Sequence, residues 1–136
     1  MYIIIAGCGR LGKELAVRLS NDGNDIVVID ADTDNLDTLG EGFNGLTVTG
    51  MPFDEDVLLE AGIRNAQAVA AVTDDDNVNL MTSEIADRLY HVKEILTRIS
   101  EPAKVDTFRN LGFHIICPTG VASECAAEML NGDKQQ

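Results

Sequence analysis

Short apolar runs alternate with amphipathic segments along the whole chain, and a Gly-x-Gly-x-x-Gly turn follows the first run. Such alternation predicts an α/β fold of parallel strands joined by right-handed crossovers. Six runs behind a glycine-rich first turn predict a Rossmann-like, doubly wound six-stranded parallel sheet in the order 3-2-1-4-5-6. The 136 residues suit one domain with a real core. That domain is expected over residues 1–132, followed by a polar tail over 133–136.

Each element has its own signal. Tyr2–Ala6 is short, continuous and rich in Ile, as a strand buried on both faces is. In Arg10–Asn21, Leu11, Leu15 and Leu19 recur every four residues, and Asn21-Asp22-Gly23 stops the helix. Asp25–Asp30 (DIVVID) is a second strand, Thr33–Leu39 a short helix, and Leu46–Thr49 a third strand closed by Gly50. Asp54–Ala61 is a short helix ending at Gly62, and Ala68–Thr73 (AVAAVT) a fourth strand. Asp76–Tyr90 is a longer helix with Val78, Met81, Ile85 and Leu89 on the face expected to be inward. Val92–Ile99 is a fifth strand. Pro102–Leu111 is a helix with Pro in its first turn and Val105, Phe108 and Leu111 along one side. Phe113–Cys117 is a sixth strand and Thr119–Leu130 a last helix. That helix carries Val121, Ala122, Cys125, Ala126, Met129 and Leu130, an apolar stripe wide enough to pair with a second copy rather than only with its own sheet.

Charge and composition exclude several classes. Net charge is −13, which repels nucleic-acid backbones and anionic lipid headgroups. Trp is absent and aromatics are 4%, so stacking platforms for bases are missing too. Neither a nucleic acid nor a lipid surface is an expected direct partner. Tyr2–Ala6 is too short and lacks the basic flank of a signal peptide, so the expected location is the cytoplasm. Cys8, Cys117 and Cys125 have neither the number nor the spacing of a disulfide framework or zinc site. His91 and His114 stand without recognisable catalytic partners. Asp74, Asp75 and Asp76 read as helix capping before a divalent-ion site, and Asp54, Glu55 and Asp56 read likewise.

The glycine turn carries the functional signal. Gly7 permits the tight turn, Gly9 lets the backbone approach a phosphate, and Gly12 lets the helix pack on the sheet. The helix N-terminus then offers free N–H groups and partial positive charge to phosphates. Asp30 ends the second strand 18 residues after Gly12, near the spacing at which an acid accepts ribose hydroxyls. A carboxylate there repels a 2′-phosphate and disfavours NADP. Asp32 reads either as a second ribose ligand or as the cap of the next helix. Arg10, inside the motif, adds a charge suited to a terminal phosphate, which tilts the ligand toward ATP or ADP without excluding NAD.

The run IIIAGCGRLGKELAVRL…VVIDAD resembles the N-terminal RCK domain, also called KTN or TrkA-N, of Trk/Ktr potassium-uptake regulatory proteins and ligand-gated potassium channels. The resemblance continues through AGI…A…AAVTDDDNVN, TRISEP and LGFHIICPTGVASECAAEML, and covers nearly the whole chain. It implies a cytosolic, non-enzymatic regulator that binds ATP, ADP or NAD(H). Such regulators assemble as dimers and rings beneath a potassium-translocating membrane subunit, and the nucleotide alters the ring's shape to gate the ion path. It further implies a phosphate loop through Gly7, Cys8, Gly9, Arg10, Leu11 and Gly12, and ribose contacts at Asp30 and Asp32 with Ala31 between them. Gly50, Met51 and Pro52 stand where the family reads the base, Thr73 ends the fourth strand facing the nucleotide, and Arg98 points from the fifth strand toward the site or a partner. The last helix would hold the dimer.

Three departures qualify the match. The family carries Gly-Asp-Ala/Ser-Thr after the third strand, and its Asp reads adenine; this chain has Gly50-Met51-Pro52-Phe53. Asp-Glu-x-Asn is replaced by Asp76-Asn77-Val78-Asn79, and Ala-Lys in the following helix by Ala86-Asp87. These suggest a divergent member that pairs with a more typical paralogue. The family's C-terminal lobe has no room after Leu130, so a single-lobe regulator or a truncated chain is expected. The competing reading, the NAD-binding half of a dehydrogenase, lacks an evident acid–base group beside the nicotinamide. A scaffold without a ligand is opposed by the glycines and Asp30.

Overall fold

The alternation read from the sequence resolves into β1 (Tyr2–Ala6), α1 (Arg10–Asn21), β2 (Asp25–Asp30), α2 (Thr33–Asp37), β3 (Leu46–Thr49) and α3 (Glu55–Glu60) in the first half of the chain. The second half holds β4 (Ala68–Ala71), α4 (Asp76–Arg88), β5 (Glu94–Arg98), α5 (Val105–Arg109), β6 (His114–Ile116) and α6 (Pro118–Asn131). This computed structural model describes residues 1–132, so the predicted polar tail lies outside the described residues. The strands form one sheet in the order β3-β2-β1-β4-β5-β6, and every pairing is parallel.

Alternate residues of the central strands feed two cores. Ile3, Ile5, Ile26 and Val28 pack with Ala16 of α1 and Leu36 of α2 on one face. Ile4, Val27, Ile29 and Val69 pack with Leu58 of α3 and Ala86 of α4 on the other. Both faces are covered, which is why β1 and β2 read as unbroken apolar runs. Successive βαβ units on opposite faces of the sheet make α1 and α4 leave in different directions from neighbouring strands, which opens a crevice above β1 and β4.

The structure corrects several expectations. β4 ends at Ala71 instead of Thr73, because the Thr73 N–H turns away to Asn79 Oδ1 at 2.9 Å. The Pro102–Leu111 segment is a 3-10 turn, Pro102–Lys104, followed by the single turn of α5, with Leu111 exposed. On α4 the buried residues are Asn79, Thr82, Ser83 and Ala86, while Met81 and Leu89 of the expected inward face are exposed. Polar groups on the strands select that face: Ser83 Oγ and Thr97 Oγ1 lie 2.6 Å apart, and Asn79 reaches the ends of β4 and β5. Ile85 alone of the predicted stripe packs against the core, and Val78 turns to the crevice. α6 buries none of its residues, with Met129 and Leu130 80% and 82% exposed, so its apolar stripe does not pack on the sheet. Among the described residues no helix is long and apolar enough to cross a membrane.

Candidate functional site

The crevice is built from the turn between β1 and α1. The Gly7 N–H donates to Ile29 O at 2.8 Å, which holds the turn to the end of β2. Gly7 has φ +115°, and a Cβ there would stand 2.8 Å from Thr73 N, so both its conformation and its approach to the segment after β4 require glycine. A Cβ on Gly12 would fall 1.8 Å from Gly7 O, the close helix–strand contact anticipated from the motif. A Cβ on Gly9 would meet nothing within 4 Å. Gly9 borders the crevice, and the space over it is open to a ligand.

α1 starts at Gly9 with no side-chain cap and no acid in its first turn. By contrast, α2, α3 and α4 each start with an aspartate whose carboxylate accepts a first-turn N–H: Asp32, Asp54 and Asp75. The α1 N-terminus therefore keeps unpaired donors and partial positive charge beside the crevice.

Asp30 clamps the adjoining loops. Its Oδ2 accepts from the Cys8 N–H at 2.8 Å, and its Oδ1 accepts from the Asp32 N–H at 2.8 Å and from Asn35 Nδ2 at 3.2 Å. A carboxylate offers about four acceptor positions, so about one remains for a ribose hydroxyl. The Cys8 thiol is buried and donates to Asn35 O at 3.3 Å. Burial, and then the nearby Asp30 charge, push its pKa up. It is a neutral packing group beneath the turn.

Asn79 fixes the opposite wall. Its Oδ1 accepts from the Thr73 N–H at 2.9 Å and Thr73 Oγ1 at 2.6 Å, while its Nδ2 donates to Thr73 O at 2.9 Å and Arg98 O at 3.0 Å. The Arg98 side chain reaches the crevice with its Nε buried and unpartnered. Asp75 caps α4 through Asn77 N at 2.9 Å and Val78 N at 3.2 Å, as capping predicts, whereas Asp76 Oδ1 accepts from Ser100 N at 2.9 Å, a tie to the loop after β5 and not a cap. Among the described residues no group of three or more His, Cys, Asp and Glu is placed to hold a metal.

The crevice has a volume of about 520 Å³. Of the residues singled out from sequence, Gly7, Gly9, Arg10, Asp30, Ala31, Met51, Pro52, Thr73 and Arg98 line it. The other five do not. Cys8 is buried below the turn, Leu11 packs in the core, Gly12 is pressed against Gly7, and Gly50 is covered by Val57. Asp32 caps α2, its Oδ1 accepting from the Asp34 N–H at 2.9 Å, so of its two readings the structure shows the cap. Sequence reasoning missed Asn35, Val72, Asp74, Asp75 and Val78 as lining residues. Asn35 is the informative one, five residues beyond Asp30 in the first turn of α2.

An uncapped helix start, an open cradle over Gly9, two guanidinium groups and an orphaned buried Nε together fit a phosphorylated ligand. Asp30 suits a hydroxylated sugar beside it.

The TrkA-N domain family matches residues 3–118. The chain is 41% identical over 112 residues to the Trk system potassium uptake protein TrkA of Streptomyces coelicolor, covering 82% of this chain and 50% of that one. It spans about half the length of the curated relatives it resembles. The fold superposes on the TrkA-N domain of the Escherichia coli inner membrane protein ybaL with a TM-score of 0.84 at 18% identity, over 95% of this chain and 96% of that one. GsuK bound to ADP gives a TM-score of 0.80 at 21% identity, over 97% and 34% of the two chains. The GsuK channel bound to NAD gives 0.72 at 23%, over 86% and 21%. With the family matched across most of its length and the glycine turn, Asp30 and strand order all in place, the chain belongs to the TrkA-N domain family.

Proposed function

We infer that this domain binds an adenosine nucleotide, ATP, ADP or NAD(H), across the crevice above β1 and β4, and that the bound nucleotide regulates potassium transport. The observation that carries the reading is the α1 N-terminus, left without a cap beside the open space over Gly9. Phosphates would lie on that N-terminus, with Arg10 and Arg98 as counter-charges and Asp30 beside the ribose. The ADP and NAD held by GsuK, and the potassium uptake named for the Streptomyces relative, support it.

Regulation would act by population shift: the nucleotide that binds one shape of the assembly more tightly draws the assembly toward it. α6, with its apolar stripe free of the sheet, would pair with a second copy or with a paralogue in a dimer or larger ring. That assembly would sit in the cytoplasm against a potassium-translocating membrane subunit. An enzymatic role has less support. His91 is exposed in a turn at φ 52°, His114 lies 3.1 Å from Glu94, and neither lines the crevice.

Calorimetry with ATP, ADP, AMP and NAD tests the ligand, with binding expected for at least one of them. Arg10→Ala should weaken ATP and ADP by about 10- to 100-fold and AMP by less, because a charge-assisted contact to the outer phosphates is removed. Cells carrying Gly9→Val in place of the wild-type residue should show altered potassium uptake. Unchanged uptake, with nucleotide binding abolished in the purified variant, would separate binding from regulation and overturn the second half of the proposal.

A further inference from the structure

Most of the acceptor capacity of Asp30 is spent inside the protein. Its Oδ1 accepts from the Asp32 N–H at 2.8 Å and from Asn35 Nδ2 at 3.2 Å, which fills the acceptor positions of that oxygen. Its Oδ2 accepts from the Cys8 N–H at 2.8 Å and keeps about one position. The ribose of a nucleotide presents two neighbouring hydroxyls, and each has a proton to place. Asp30 can receive one of them, so the other needs a second acceptor. This rests on the nucleotide-binding reading above.

Asn35 is placed to supply it. It lines the crevice beside Asp30, from the first turn of α2. A carboxylate only accepts, so the Asn35 amide must turn Nδ2 toward Asp30, and that fixes which end of the amide is left over. The backbone carbonyl of Asn35 is taken by Cys8 Sγ and Thr38 Oγ1, whereas its Oδ1 has no partner among the described residues. Other polar groups of the crevice serve this purpose less well. Thr73, Asp74 and Asp75 follow β4, across β1 from Asp30. The Ala31 and Met51 N–H groups also lack partners among the described residues, but they donate. They suit the acceptor atoms of a base and cannot take a hydroxyl proton.

We propose that Asp30 and Asn35 divide the ribose diol between them, Asp30 Oδ2 accepting one hydroxyl proton and Asn35 Oδ1 the other. Asn35 is then a specificity residue for the sugar, and the ligand class is nucleotides whose ribose carries both hydroxyls free. A deoxyribose leaves one of the two acceptors unpaired. A phosphate on either hydroxyl brings an acceptor where an O–H is required, and sets its charge against Asp30.

Calorimetric titration of the full chain with ADP, 2′-deoxy-ADP and 3′-deoxy-ADP tests it. ADP should bind about 3- to 10-fold more tightly than either analogue, since each analogue lacks one hydrogen bond. No preference for ADP over the analogues overturns the sugar inference and leaves the nucleotide reading standing. Binding of none of the three overturns the nucleotide reading, and the sugar inference with it. Asn35→Ala should abolish the preference against one analogue and keep it against the other. A variant that keeps both preferences, or loses both, overturns the proposal. Asn35→Asp retains an acceptor but loses the N–H to Asp30. It should restore the preference that Asn35→Ala abolishes, whatever the two carboxylates do to overall affinity. Loss of the same preference in both variants would mean that Asn35 acts only by holding Asp30, and overturns the direct contact. GDP controls for the base. If Asn35→Ala changes the ratio of ADP to GDP affinity and leaves the sugar preferences intact, the amide reads the base and the proposal falls.

Discussion

α1 and α4 follow neighbouring strands and begin at the same edge of the sheet, yet their N-termini are finished in opposite ways. α4 starts at Asp75, whose carboxylate accepts two of its first-turn N–H groups, and carries Asp76 in its first turn. α1 starts at a glycine with neither a cap nor an acid. Each arrangement answers the same requirement, that the first N–H groups of a helix find acceptors. α4 supplies its own anion, whereas α1 leaves that place open. The contrast supports the proposed placement of phosphates at α1 better than the glycine motif alone does, because a tight turn needs glycine whether or not a ligand follows.

The largest expected effect breaks the α1 side outright. Gly12→Val places side-chain atoms against Gly7 O, and overpacking of this kind costs about 3 kcal/mol or more. Thermal denaturation should show a fall in Tm of roughly 10 °C, and nucleotide binding should weaken as α1 is pushed off the turn. A Tm near that of the wild type would mean that α1 does not need to lie so close to β1.

Gly9→Val isolates the ligand from the fold. Gly9 has extended backbone, φ −79° and ψ −160°, that any residue adopts, and a Cβ there meets no protein atom within 4 Å. Stability should be unchanged while ADP affinity falls by about 100-fold, equivalent to about 2.7 kcal/mol. A well-folded variant that binds ADP normally would remove the phosphates from the α1 N-terminus.

On the α4 side the expectation reverses. Asp75→Ala strips two N–H groups of their acceptor and should cost about 1 kcal/mol of stability, as N-cap removal does. ADP affinity should stay within about threefold of wild type, or 0.7 kcal/mol. If ADP binding collapsed with no change in unfolding, α4 and not α1 would be the functional terminus.

The smallest effect concerns Cys8 beneath the turn. Its folded-state pKa lies above the ordinary thiol value of 9.0, through burial and then Asp30. The folded protein therefore holds the thiol proton more tightly than the unfolded chain. That contribution is complete below pH 9 and is lost as pH rises through the raised pKa. Denaturation between pH 8 and 10.5 should show a steeper alkaline decline for wild type than for Cys8→Ala; parallel curves would place the thiol in contact with water.

Legibility differed along the chain for physical reasons. β1, α1 and β2 were read to the residue, because a strand buried on both faces is a continuous apolar run and α1 is closed by glycines at both ends; β3, an edge strand with only Val48 buried, was read from the glycine that closes it. α4 misled. Periodicity assumes that the apolar stripe faces inward, but Asn79 and Ser83 take that face, since their polar groups have partners on β5 and at Thr73, just past β4. In the site, Gly7, Gly9, Arg10 and Asp30 were visible from motif spacing. Asn35 was not, since nothing in its local sequence shows that α2 turns it toward Asp30.

The sequence by itself determined the order of elements, the strand order that parallel crossovers allow, and the glycine turn with its acid. These depend on local conformation and on apolar period, which the chain carries residue by residue. Only the tertiary structure decided which helix N-termini are capped, that Asp32 serves α2, that Asp30 has about one acceptor position left, and that α6 stands free of the sheet. Those depend on which donor meets which acceptor across the sheet edge, and that meeting is fixed by how the loops pack against one another.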